Sequence, residues 1–159
     1  MGEIEGLRKR VEAVRREYAA LPRDGWGEPG PLDESTGERW DRGNVLGHVA
    51  EMLPFWTGQA RAVLAGAEAM GRDEIGAAQR RMGIDAGREA GEDGLLDRVD
   101  AGMAGLLALL DEMSDADLDR ELVHRAGDSE RRTRLGDEIQ GVLVAHLEDH
   151  LGQLRELDD

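Results

Sequence analysis

The sequence contains no cysteine and no long apolar run. Without cysteine, disulfides, thiolate metal ligands and a cysteine nucleophile are excluded, so a metal ion would have to bind to nitrogen and oxygen atoms. The N-terminus lacks the apolar core and the cleavage site of a signal peptide, and no stretch approaches the roughly 20 apolar residues that span a bilayer. We therefore expect a cytoplasmic protein that has no membrane partner.

Basic residues are scarce relative to acidic ones. The chain has 20 Lys and Arg against 35 Asp and Glu, which gives a formal net charge of −15. Because binding to nucleic acid phosphates needs a net basic surface, this charge predicts that nucleic acid is not a partner, and we expect a small-molecule substrate instead. The length fits one domain, which we assign to residues 1–159.

Apolar residues recur at steps of three and four in four stretches, which is the period of amphipathic helices. The first stretch covers residues 4–21 and the second covers residues 41–70, where Pro54 should bend the helix. The third covers residues 95–113, and the last covers residues 133–157. The predicted caps and turns are Asp41, the capping box of Ser114 and Asp117, Thr133, and a turn at Gly127 and Asp128.

The connections between these helices show no pattern typical of a strand. Residues 22–43 hold three of the four prolines and are predicted to form a long loop that anchors Trp26 and Trp40. Residues 71–94 are rich in glycine and charge and fit either a loop or a weak helix. The sequence therefore predicts an all-α fold, a four-helix bundle with long connecting loops.

Three of the four histidines lie on the apolar stripes of two predicted helices. His146 and His150 are four residues apart, so they lie one turn apart on a single face of the last helix. His48 takes the matching position on the second helix, between Val45 and Met52. Buried neutral imidazoles need partners, and a metal ion takes one lone pair from each. We predict that these three histidines bind one divalent metal ion and leave a coordination position open.

The alternative is that these histidines are ordinary core or surface residues that bind no metal, because a four-residue spacing occurs by chance in many helices. The remaining histidine, His124, lies in a polar, turn-rich stretch beside Arg125 and is expected to be exposed. Three imidazoles suit zinc, nickel, copper, cobalt and iron, so the ligand set does not name the ion.

Several polar and aromatic residues could act beside the ion. Glu51 follows His48 by three residues and is either a general base or a partner of the ion, or a solvated carboxylate. Gln153 could hydrogen-bond an imidazole, and Asp149 could orient a ligand. The aromatic residues that could line a pocket or belong to the core are Tyr18, Trp40, Phe55 and Trp56. The residues of a basic patch that could receive an anionic substrate or pair with Glu130 and Asp137 are Arg125, Arg131, Arg132 and Arg134.

Two segments resemble the DinB/YfiT-like superfamily of metal-dependent enzymes, which includes the metal-binding domain of mycothiol-dependent maleylpyruvate isomerase. They are WDRGNVLGHVAE around His48 and TRLGDEIQGVLVAHLEDHLGQL around His146 and His150. In that superfamily a tryptophan precedes the second helix, and a leucine and a glutamine follow the paired histidines, here as Leu151 and Gln153. The resemblance extends to the order of elements along nearly the whole chain.

The resemblance implies a zinc, nickel or similar ion on the three histidines and often a homodimer. For activity it implies a thiol S-transferase that uses mycothiol or bacillithiol, an isomerase or a hydrolase. The isomerase-type proteins carry a further C-terminal domain, whereas this sequence ends at Asp159. The other hypothesis is a non-catalytic metal- or ligand-binding bundle of the stress-related kind.

Overall fold

The computed structural model describes residues 2–23, 32, 34–35, 40–86 and 91–158, and these residues are mostly helical. Trp26, which was predicted to anchor the long loop, lies outside them. The helices are α1 (Glu3–Ala19), α2 (Arg42–Leu64), α3 (Glu74–Ala86) and α4 (Glu92–Glu112), followed by a last helix in three parts. Those parts are α5 (Leu135–Glu138), a π-helical segment (Ile139–Ala145) and α6 (His146–Asp158). None of the described helices is long and apolar enough to cross a membrane.

A small sheet corrects the prediction of an all-α fold. The structure contains strands β1 (Ala69–Arg72), β2 (Glu121–Ala126) and β3 (Ser129–Arg134), with β1 parallel to β2 and β2 antiparallel to β3. Strand β3 is largely exposed and polar, so its sequence shows no alternation of apolar and polar residues that would have predicted a strand. The predicted turn at Gly127 and Asp128 is confirmed as the β2–β3 connection, and Gly127 has a φ of +59°.

Helix α2 begins where the sequence predicts. The Asp41 side chain accepts a hydrogen bond from the Asn44 backbone N–H at 3.0 Å, which confirms the predicted N-cap. The helix contains Pro54 and ends at Leu64, six residues before the predicted end, because the chain turns at Gly66 with a φ of +114° and enters β1.

The unassigned segment after β1 forms α3, which packs closely on α2. A Cβ atom at Gly83 would lie 2.7 Å from the Cβ of Glu51 and 3.4 Å from the carbonyl oxygen of Gly47, so only glycine allows this approach. The Asn44 side chain donates to the Ile84 carbonyl at 2.8 Å and ties the two helices together. Helix α3 therefore lies against the part of α2 that carries His48.

The helices bury one apolar core, to which α1, α2, α4 and the last helix all contribute. Helix α4 confirms the third predicted helix, and the predicted capping box of Ser114 and Asp117 opens a short 3-10 turn after it. Fully buried members of the core include Tyr18, Met52, Leu106 and Leu135. Burial of such side chains contributes about 1.5–3 kcal/mol each and fixes the helices that carry the histidines.

Candidate metal centre

Three histidines from two helices meet at one point in the structure. Helix α2 provides His48, and α6 provides His146 and His150, and one ring nitrogen of each lies within 4.8 Å of the others. The ring centroids are 5.3 Å apart for His48 and His146, 5.0 Å for His48 and His150, and 4.5 Å for His146 and His150. A single ion between them would reach all three rings.

Two ring nitrogens of this cluster are buried and lack a hydrogen-bond partner among the described residues. They are Nδ1 of His48, whose residue is 2% exposed, and Nε2 of His150. The other ring nitrogen of His150, Nδ1, lies 3.0 Å from the Gln153 side-chain oxygen. We assign the proton to this Nδ1, which donates to Gln153, so that the Nε2 lone pair faces the cluster. A buried nitrogen without a partner costs about 1–3 kcal/mol, and the lone pairs of these two are free for an ion.

The surroundings keep the imidazoles neutral. Burial, followed by the charges of its histidine neighbours and of Arg80 and Arg72, lowers the pKa of His48 to about 2. Burial also lowers the pKa of His150 to about 4 against the opposing hydrogen bond to Gln153, and it lowers the pKa of His146. At neutral pH all three rings therefore offer lone pairs, which is the state that a metal ion requires.

Trp40 forms one wall of the cluster. Its ring lies edge-on to His48 at 5.9 Å and stacks on His150 at 6.3 Å between centroids. The Arg80 guanidinium of α3 lies 5.8 Å from the Trp40 ring centroid. Tyr18, by contrast, is a core residue, since it is 2% exposed and its hydroxyl donates to the Leu147 carbonyl at 2.8 Å. Of the aromatic residues proposed to line a pocket, all of which the structure describes, Trp40 is therefore the one that packs against the histidine cluster.

The carboxylate of Glu51, the candidate base, lies in a bidentate pair with Arg72. The two guanidinium nitrogens donate to its two oxygens at 2.7 and 2.8 Å, and both side chains are largely buried. The Arg72 guanidinium also lies 4.1 Å from the Phe55 ring centroid. No motif in the sequence marks Arg72. It lies at the end of β1, whose parallel pairing with β2 positions it beside Glu51.

His124 differs from its prediction as an exposed residue. Its Nδ1 lies 2.7 Å from the Glu138 carboxylate, its side chain is 13% exposed, and its ring stacks on Trp56 at 5.9 Å between centroids. Glu138 also pairs with Arg131 at 2.9 Å. The sequence held a signal for this cluster, because Glu138 is an acidic residue within an apolar helical stripe, between Leu135 and Ile139.

Several exposed residues near the site form ion pairs. Glu148 and Asp149 are exposed, and Glu148 pairs with Arg10. In the basic patch, Arg125 pairs with Glu130 at 3.0 Å and Arg134 pairs with Asp137 at 3.1 Å. The patch is therefore compensated by neighbouring acids at both of these arginines.

The family model of the DinB superfamily matches residues 32–154, which include the three clustered histidines. The chain belongs to the DinB superfamily. The resemblance found in the two histidine segments is therefore confirmed. The comparison with curated protein sequences gives no match.

Three solved structures share the fold of this DinB-superfamily chain. Mycothiol-dependent maleylpyruvate isomerase has a TM-score of 0.70 and 18% identity, and the match covers 96% of this chain and 59% of the isomerase. A protein from Streptococcus pneumoniae has a TM-score of 0.70 and 11% identity over 99% of this chain and 91% of that protein. The colibactin self-resistance protein ClbS, in complex with a double-stranded DNA, has a TM-score of 0.68 and 14% identity over 98% of this chain and 93% of ClbS.

The ClbS complex corrects the prediction that excluded nucleic acid. That prediction was wrong because it used the net charge of the whole chain, whereas phosphate contacts depend on local basic groups. The fold of this chain thus also occurs in a protein whose structure was solved in complex with DNA.

Proposed function

We propose that this chain binds one divalent metal ion, zinc or nickel, through His48, His146 and His150, and that it is a metal-dependent enzyme. The observation that carries the proposal is the pair of buried, unpartnered nitrogens, His48 Nδ1 and His150 Nε2, in one cluster with His146. No group among the described residues compensates their desolvation, and an ion would do so by accepting both lone pairs. With three protein ligands, a fourth position stays open for a substrate or water.

The residues around the cluster fit this role. Gln153 holds His150 in the tautomer that presents Nε2, and the ring of Trp40 covers His48 and His150 and limits access of water. Arg72 and Arg80 place positive charge near the histidines. A bound ion with an open position would acidify a coordinated water or thiol, and the two guanidinium groups would favour the anion that results.

The reaction that we favour is thiol S-transfer from a low-molecular-weight thiol, of the mycothiol or bacillithiol type, with hydrolysis of a small molecule as the second option. The fold shared with mycothiol-dependent maleylpyruvate isomerase supports a thiol, although this chain spans only 59% of that protein. We further propose that α1, α2, α4 and the last helix form a four-helix bundle in a single domain, and that two copies form a homodimer.

Elemental analysis of protein purified without a histidine tag tests the metal site. After loading and dialysis, we expect about one equivalent of zinc or nickel in the wild type and none in the His146→Ala variant. Glu148→Ala is the matched control, because Glu148 is an exposed neighbour on the same helix. A metal-free wild type after loading, or full stoichiometry in His146→Ala, would contradict the proposal.

The second candidate function is a non-catalytic metal-binding protein, and the observation that favours it is the origin of the ligands from both α2 and α6. An ion there would connect the two helices and stabilise the fold. A screen of metal-loaded protein with thiols and electrophiles separates the two functions. Turnover that disappears in His146→Ala supports the enzyme, whereas a metal-dependent rise in Tm without turnover supports the structural role.

A further inference from the structure

The last helix changes its hydrogen-bonding pattern just before the paired histidines. Residues Ile139–Ala145 form a seven-residue π-helical segment between α5 and α6. A π-helix has i→i+5 hydrogen bonds and about one residue more per turn than an α-helix, and such segments occur mostly as single turns at functional sites. This segment therefore retards the rotation of the helix by roughly 100°, about one residue.

The retarded rotation turns the histidine pair toward the face of Glu138. In an uninterrupted α-helix, His146 and His150 would be offset from Glu138 by about 80° and about 120° around the helix axis. With the π-helical segment, these offsets become about −20° and about +20°. Glu138 and both histidines thus face the same side of the helix, where the histidines meet His48 of α2 and Glu138 meets His124, whose ring stacks on Trp56 of α2.

Glu138 is fixed on this face from both sides. It is 2% exposed, its Oε2 lies 2.7 Å from Nδ1 of His124, and its Oε1 lies 2.9 Å from a guanidinium nitrogen of Arg131. His124 in turn stacks on Trp56 of α2. A buried carboxylate is stable only with such partners, so residue 138 has one favourable orientation.

The helix has a second fixed point beyond the π-helical segment. The buried Tyr18 hydroxyl of α1 donates to the carbonyl of Leu147, which lies between the two histidines, at 2.8 Å. The π-helical segment thus connects two fixed points, and the angle through which it turns the helix determines where the histidines point.

We propose that Glu138 is a positioning residue of the metal centre. It fixes the rotation of the π-helical segment about the helix axis so that His146 and His150 face His48. This inference rests on the proposed function, because it concerns the geometry of the metal site. Without the contacts of Glu138 with His124 and Arg131, the segment relaxes to α-helix and the histidine pair rotates away from His48.

Cobalt(II) titration of the metal-free protein tests the proposal through binding affinity and the visible absorption spectrum. We expect Glu138→Ala to bind cobalt at least about tenfold more weakly than wild type and with an altered spectrum. Glu130→Ala is the matched control, since Glu130 is an exposed acid on β3 that pairs with Arg125 of β2. Wild-type affinity and spectrum in Glu138→Ala would overturn the inference, whereas an absence of cobalt binding by the wild type would overturn the proposed function.

Deletion of one residue provides a test that does not require Glu138 to be replaced. Gly141 is exposed, and its removal shortens the step from position 138 to the first histidine from eight residues to seven, which an ordinary α-helix covers with an offset of about −20°. The deletion should therefore keep cobalt affinity within about threefold of wild type, and it should restore binding to Glu138→Ala. Loss of cobalt binding in the single deletion, or failure of the rescue, would overturn the proposal.

Discussion

The two ends of the last helix bury polar groups in opposite ways. At the α5 end, both oxygens of Glu138 have partners, His124 and Arg131. At the α6 end, the histidines are neutral, and His150 keeps a buried nitrogen without a partner among the described residues. Buried polar groups in folded proteins almost always have partners, so the contrast fits a structural role for Glu138 and its partners and supports the ligand-binding role proposed for the histidines.

The largest difference in stability should follow from leucine substitutions of Glu138 at the α5 end and of His48, the α2 member of the histidine cluster. Glu138→Leu removes the shared partner of His124 and Arg131 and should lower the free energy of unfolding of the metal-free protein by about 3 kcal/mol. His48→Leu removes an unpartnered nitrogen and should change it by less than about 1 kcal/mol. Urea unfolding measures both, and equal destabilisation by the two variants would remove the distinction between the clusters.

Acid should lower the stability of the metal-free protein because the clustered histidines resist protonation in the folded state. The ordinary pKa of histidine is 6.5, whereas the folded values are about 2 for His48 and about 4 for His150. Between pH 6.5 and about 4 the unfolded chain therefore binds protons that the folded protein excludes, so the free energy of unfolding falls as the pH falls. The expected slope is at most about 1.4 kcal/mol per pH unit for each of these histidines.

Urea unfolding of wild type and His48→Leu at pH 7 and pH 5 checks this dependence. The variant should show a shallower loss of stability because it lacks one of the three histidines with a lowered pKa. A wild-type stability that stays constant over this range would mean that the histidines are solvated in the folded protein.

The hydrogen bond between His150 and Gln153 belongs to the α6 end and should affect the ion more than the fold. Gln153→Ala removes the acceptor for Nδ1 and should weaken metal affinity by about 10–100-fold. Its effect on the stability of the metal-free protein should be below about 1 kcal/mol, since Gln153 is only half-buried. Metal titration and urea unfolding of the same variant test whether the two effects separate, and Gln153→Glu, which keeps an acceptor, should retain most of the affinity.

The helices and the meeting of the histidines could be predicted from the sequence because both follow the 3.6-residue period. An apolar stripe with His48 on α2 and another with His146 and His150 on α6 are enough to place the rings inside the protein. The tautomer of His150, in contrast, depends on its contact with Gln153. The sequence suggested Gln153 as a hydrogen-bond partner of an imidazole, but not of which ring nitrogen.

The strands and the charged cluster were missed for physical reasons. Strand β3 is exposed and polar, so neither alternation nor composition indicates it. Glu138 is recognisable as an acid within an apolar stripe, but its partners His124 and Arg131 lie on strands of the sheet, as does Arg72, the partner of Glu51, so no local pattern specifies these pairs. The π-helical segment shifts the apolar stripe by about one residue, which a search for helical period tolerates without revealing the change.

The smallest effect on metal affinity is expected at Glu51, which pairs with Arg72. Its bidentate pair with Arg72 stabilises the carboxylate and occupies both oxygens, so Glu51→Gln should leave metal affinity within about threefold of wild type. If Glu51 is also the base, turnover in the thiol and hydrolysis screens should fall by about 100-fold or more in this variant while metal content is unchanged. Asp149→Asn is the matched control, as an exposed acid on α6. A loss of metal in Glu51→Gln would instead assign this carboxylate to the ligand cluster, and unchanged turnover would leave it with the structural role that its pair with Arg72 supports.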